Sequence, residues 1–75
     1  MAEFYFTATL SNERTLFLAP LTDRLIAESG QDVPDASGYF LFERRRGGRR
    51  PNVEIIAQVV SEEAALRLRD MLGMA

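Results

Sequence analysis

Two short alternating runs, Tyr39-Phe40-Leu41-Phe42 and Val53 to Val60, stand on either side of the pair Gly47-Gly48. No other feature of the chain restricts its fold as much. A Gly-Gly pair suits a tight hairpin turn whose central residues need positive φ. The flanking runs have the two-residue period of strands with one buried face. A turn at Gly47-Gly48 sets Phe42 opposite Val53, Phe40 opposite Ile55 and Gly38 opposite Ala57. Directly opposed residues share a face of the sheet. Phe40, Phe42, Val53, Ile55, Ala57 and Val59 then form one apolar face. Tyr39, Leu41, Glu43, Glu54, Ile56, Gln58 and Val60 form a mixed one. Residues 38–60 are therefore expected to be a β-hairpin.

The other segments add to this hairpin. Residues 3–10 alternate, with Phe4, Phe6, Ala8 and Leu10 on one side and Tyr5, Thr7 and Thr9 on the other, so a strand is expected. Ser11-Asn12-Glu13-Arg14 reads as a turn, and Thr15 to Ala19 as a returning strand. Pro20 suits the first position of a helix carrying Leu21, Leu25 and Ile26, with Gly30 as its C-terminal stop. A rival reading runs one helix from Ser11 to Ser29, but it sets Pro20 mid-helix at a cost of roughly 3 kcal/mol. Residues 30–37 read as a loop. Ser61 is a good N-cap for a helix over 61–72, with Glu62 and Glu63 in its first turn and Gly73 after its end. Its stripe of Ala64, Ala65, Leu68, Met71 and Leu72 is expected on the Phe40/Phe42 face of the hairpin. The fold class is thus α+β: one domain over 1–75, a small antiparallel sheet of hairpins with a C-terminal helix packed on one face. The order is β-β-α-β-β-α, with β-α-β-β-α as the alternative.

Composition narrows the function. Among 75 residues there is no Cys and no His. This removes disulfides, thiolate–zinc sites, the usual metal ligand and the usual general base. No side chain suited to activating the available Ser and Thr hydroxyls is present, so catalytic, cofactor-binding and metal-binding residues are all expected to be absent. Asp32 and Asp35 fall short of the ligand set of a calcium loop, and Gly47-Gly48 lacks the context of a phosphate loop. No apolar run approaches the ~20 residues that span a bilayer, and the acidic start of the chain is unlike a signal peptide. A cytoplasmic protein with no membrane partner is expected. All nine basic residues are Arg, as GC-rich codon usage in a bacterial source would produce.

Charge is concentrated in one place. The net charge of −2 averages a run of five Arg over 44–50 with an acidic remainder. Arg44, Arg45, Arg46, Arg49 and Arg50 are the candidate anion or partner-binding residues. In the expected register Arg46 opposes Arg49 and Arg45 opposes Arg50, and such like-charge pairs destabilise a hairpin unless an anion neutralises them. Tyr39, Leu41, Ile56 and Val60, on the mixed face, are a candidate apolar contact surface.

Strands, an Arg/Gly turn and a following helix over 38–72 resemble the three-stranded DNA-binding domains of certain plant transcription factors and integrase arms. That resemblance implies reading of DNA through the sheet, but the Trp those domains often carry on the reading face is missing. The leading expectation is a small non-enzymatic binding or adaptor domain acting through a macromolecular partner, such as a protein. A second copy of the chain would serve, its acidic 28–35 stretch meeting the Arg tip in a homodimer. The alternative is nucleic-acid binding through the Arg-rich tip 44–50.

Overall fold

The computed structural model describes residues 5–47 and 52–75. Four strands, β1 (Phe6–Thr9), β2 (Arg14–Pro20), β3 (Tyr39–Arg45) and β4 (Val53–Val59), form one antiparallel sheet in chain order. Helix α1 (Asp23–Ser29) lies between β2 and β3, and α2 (Glu62–Leu72) follows β4. The expected α+β class and β-β-α-β-β-α order are both present. The hairpin belongs to a four-stranded meander, which differs from the three-stranded domains it resembles.

Local chemistry explains most of the boundaries. Around the β1–β2 turn, Leu10 and Ser11 donate their N–H groups to the Arg14 carbonyl at 3.0 and 3.2 Å. Pro20 ends β2 opposite Tyr39 and does not begin the helix. At a strand end its missing N–H removes little from the ladder. Thr22 caps α1: its hydroxyl accepts the Leu25 N–H at 3.2 Å, which Pro20 has no side-chain oxygen to do. Ser61 caps α2 in the same way, accepting the Ala64 N–H at 3.0 Å.

The β3–β4 register departs from the expected one. Phe42 lies opposite Ile55 and Arg44 opposite Val53, two residues further along β4 than a Gly47-Gly48 turn requires. The Arg45 N–H donates to the Asn52 carbonyl at 2.7 Å, so Arg45 faces Asn52 and not Arg50. Gly47 has the positive φ of 68° that the turn argument asks for, while Gly48 lies outside the described residues, as do Phe4, Arg49 and Arg50.

A bulge then flips the parity of β4. Beyond Leu41/Phe42 the pairing resumes with Leu41 opposite Ala57 and Tyr39 opposite Val59, leaving Ile56 as the extra residue. A one-residue slip moves every later side chain to the other face. Val53 and Ile55 therefore share a face with Phe40 and Phe42, whereas Val59 joins Tyr39. Since α2 follows Val59 directly, it lands on that second face.

The sheet consequently has a core on each side. On one, Leu16, Leu18, Tyr39, Val59, Ala65 and Met74 pack with Phe6, Ala8, Leu41, Ala64 and Leu68. On the other, Ala19, Phe40, Phe42 and Val53 pack with Phe17, Leu21, Leu25, Val33 and Ile55. Placement of α2 on the Phe40/Phe42 face is thus corrected: α1 and the following loop occupy it. The α2 stripe is corrected as well. Met71 and Leu72 are exposed, and Met74, beyond the Gly73 cap, is buried in their stead. Ala75 holds this segment on the outer edge of β1, exchanging two backbone hydrogen bonds with Thr7 at 3.0 and 3.1 Å. Among the described residues no helix is long and apolar enough to cross a membrane.

Candidate partner-binding site

The Arg cluster does not act as one unit. Successive strand residues point to opposite faces, so Arg44 and Arg45 diverge. Arg45 lies on the α2 side with Glu43, which is buried opposite Leu16. Arg14, directly across from Arg45 on β2, reaches the same carboxylate. Its Nε donates to Glu43 Oε2 at 2.8 Å and its Nη2 to Oε1 at 2.9 Å, a two-point fork. Arg45 Nε donates to Glu43 Oε2 at 2.9 Å, and its Nη2 reaches Glu54 Oε1. Glu54 lies opposite Glu43 across β3 and β4.

Two unfavourable cross-strand pairs, Arg14 with Arg45 and Glu43 with Glu54, thereby become one alternating chain of four charges. The Arg14 hydrogen bonds hold the Glu43 carboxyl well down, to about 2, against the opposing effect of burial and with further help from Arg45. Glu43 is ionised at neutral pH and accepts hydrogen bonds only. Arg45 is therefore committed inside the protein and withdrawn from the anion-binding set.

Arg44 and Arg46 behave differently. Both are exposed, and neither makes an ion pair among the described residues. They border a groove of about 290 Å³ with Asn12, Glu13, Thr15 and Phe17; Arg45 also lines it, its guanidinium held by Glu43 and Glu54. The Arg46 N–H donates to the Glu13 carbonyl at 2.7 Å, fixing the groove's floor to the β1–β2 turn. The Arg44 Cζ stands 6.0 Å from the centroid of the Phe17 ring. Phe17 in turn lies parallel to Phe42, with centroids 5.3 Å apart and planes 4° apart. Tyr5 meets Phe17 edge-on at 5.6 Å and 74°.

This aromatic line continues into a second, apolar groove of about 410 Å³ between Tyr5 and α1, floored by Ala19 and Phe42 and walled by Leu21 and Leu25. The reason the surface stays open is the length of α1. Among the described residues, its seven residues and their flanks pack on Ala19, Phe40, Phe42 and Val53 and leave the β1 side of the face uncovered. There Tyr5 and Thr9 are exposed, and Thr7, Thr15 and Phe17 are half-buried.

Tyr39 and Leu41, expected on a contact surface with Ile56 and Val60, are packed beneath α2. Ile56 and Val60 are exposed, the first on the bulge and the second at the end of β4. The acidic 28–35 stretch lies at the far side of the α1 face. Glu28 is 3.9 Å from Arg24, and Asp35 accepts the Ser37 N–H at 3.0 Å, which lowers its pKa. The sequence reading missed Tyr5, Thr15 and Phe17 as partners of the Arg tip. The available signal was strand parity, which separates Arg44 from Arg45 and pairs Glu43 with Arg45 at two residues' spacing.

No protein family, curated protein or solved structure matches the chain.

Proposed function

We propose that this chain is a binding domain, not an enzyme, and that it takes an anionic macromolecular partner on the open sheet quadrant at Tyr5, Phe17, Arg44 and Arg46. One observation carries the reading. Two guanidiniums border a single groove without an acid partner among the described residues, in a protein whose net charge is −2. A guanidinium is charged at every working pH and presents a planar fork of donors suited to carboxylate or phosphate oxygens. Of the nearby acids, Glu43 and Glu54 are engaged by Arg14 and Arg45, and Glu13, which borders the groove, makes no ion pair with either guanidinium among the described residues. The buried carboxylate, the type of group an enzyme would tune towards neutral pH, is instead held at about 2.

The test is an amide NMR titration with polyphosphate, an anion without rings, at low and moderate salt. Shifts centred on Thr15, Phe17, Arg44 and Arg46, lost in Arg44→Ala/Arg46→Ala, support the site. Shifts scattered over the surface, or unchanged in the double variant, overturn it.

A further inference from the structure

We infer that the partner on this quadrant is a single strand of nucleic acid, with a base lying against Tyr5 and Phe17 and its phosphates on Arg44 and Arg46. The inference rests on the binding reading above and adds the chemistry of the ligand. Charge alone would accept any polyanion, but the quadrant offers more than charge. Tyr5 keeps 65% of its surface in water, an unusual outlay for an aromatic ring on a sheet. It stands edge-on to Phe17, so its ring plane is turned away from that neighbour. Unstacked bases are recognised by such rings together with guanidinium planes.

Arg44 adds to the same surface. Its guanidinium stands over the Phe17 ring, 6.0 Å from the centroid and within cation–π range, and its own exposed plane is one on which a base can stack. Thr7, Thr9 and Thr15 lie on this face, Thr9 opposite Thr15 and Thr7 opposite Phe17. Their hydroxyls both donate and accept, as polar base edges require.

A duplex fits poorly because its rings are stacked internally and it would meet only the two Arg, beside an acidic Glu13. An acidic peptide would satisfy the guanidiniums and leave Tyr5 and the hydroxyls unused.

The experiment is fluorescence anisotropy with labelled oligo(dT) and oligo(rU) of about ten nucleotides, run beside polyphosphate and a duplex competitor. At least one oligonucleotide should bind more tightly than polyphosphate of equal charge. Its affinity should fall with salt at a log–log slope of about −1.4, the value for two phosphates on a single strand. Tyr5→Ala should weaken oligonucleotide binding about tenfold and leave polyphosphate binding unchanged, while Tyr5→Phe restores it. Arg44→Ala/Arg46→Ala should abolish both. Circular dichroism of each variant confirms the fold, and the exposure of all three side chains makes them safe to replace. Oligonucleotides binding no better than polyphosphate, a Tyr5→Ala variant equal to wild type, or equal competition by duplex would each overturn the inference. In those three cases, polyphosphate shifts at Arg44 and Arg46 would keep the binding reading. Failure of every polyanion would remove both.

Discussion

Arg14 and Arg45 face each other across β2 and β3, and both donate to the carboxylate of Glu43. Like charges set opposite each other would open the sheet at this end. Glu43, 29 residues from Arg14 in the chain, turns that repulsion into a link between β2 and β3, and Arg45 extends it to Glu54 on β4. The quartet also decides which Arg residues remain for a partner, since it claims Arg45 and leaves Arg44.

Glu43→Gln should destabilise the fold by about 1–3 kcal/mol, because two guanidiniums lose their shared acceptor while one carboxamide oxygen remains. Urea denaturation measures the loss. A double-mutant cycle with Arg14→Met should show coupling above ~0.5 kcal/mol, and additive losses would contradict the network.

Acid should weaken the protein through the same residue. Its folded pKa, about 2, lies below the ordinary 4.5. The unfolded state therefore takes up the proton first, and stability present above pH 4.5 is lost as pH falls towards 2. With half-exposed Arg partners screening the interaction, the contribution is about 1–2 kcal/mol. Asp35 adds to the acid loss in the same direction. Denaturation at neutral and acidic pH should show a shallower dependence in Glu43→Gln than in wild type; parallel curves would exclude Glu43 as the source.

Gln31 guards the free edge of β4. Its side-chain amide accepts the Ile55 N–H at 2.7 Å and donates to the Ile55 carbonyl at 3.1 Å, as a neighbouring strand would. Gln31→Ala should cost about 1 kcal/mol and expose that edge to pairing between molecules. Sedimentation at two concentrations should show more association in the variant than in wild type; equal behaviour would mean the edge needs no guard.

The end of α2 gives a direct test of the corrected packing. Met74 is buried and Met71 keeps 75% of its surface exposed. Met74→Ala should cost about 2–4 kcal/mol, and Met71→Ala should change stability by less than ~0.5 kcal/mol. The reverse order in thermal or urea unfolding would restore the helical stripe read from the sequence.

Gly30 ends α1 with φ at 67° and nothing within 4 Å of where a Cβ would sit. Gly30→Ala should therefore cost about 1 kcal/mol from backbone strain alone, and Gly30→Asn less. Equal stabilities of the Ala and Asn variants would show that the left-handed conformation is not what the glycine supplies.

The strands and α2 were legible because their signals are local. Alternation at Phe6–Ala8 and Phe40–Phe42, the Ser61 cap and the Gly73 stop each lie within a few residues of what they determine. Thr22 is a local cap signal as well, but Pro20 two residues earlier competes with it, since its fixed φ suits a strand end as well as a helix start. The bulge at Ile56 was not readable. Val53, Ile55, Ala57 and Val59 alternate without a break, and nothing in that pattern marks the residue at which pairing slips.

Residue period and near neighbours specify an antiparallel α+β domain, its element order, the Ser61 cap, the Gly30 and Gly73 stops and the site of the Arg concentration. Which face each helix covers, and which of the described guanidiniums lack an acid partner, is decided only in the folded sheet. Both depend on pairing register between distant strands, where one extra residue at Ile56 sends Val59 and α2 to the opposite side. The ion pair of Arg14 with Glu43 likewise exists only once β2 and β3 lie side by side. With α2 on one face and a short α1 on the other, the described residues leave a quadrant of the sheet open beside Arg44 and Arg46.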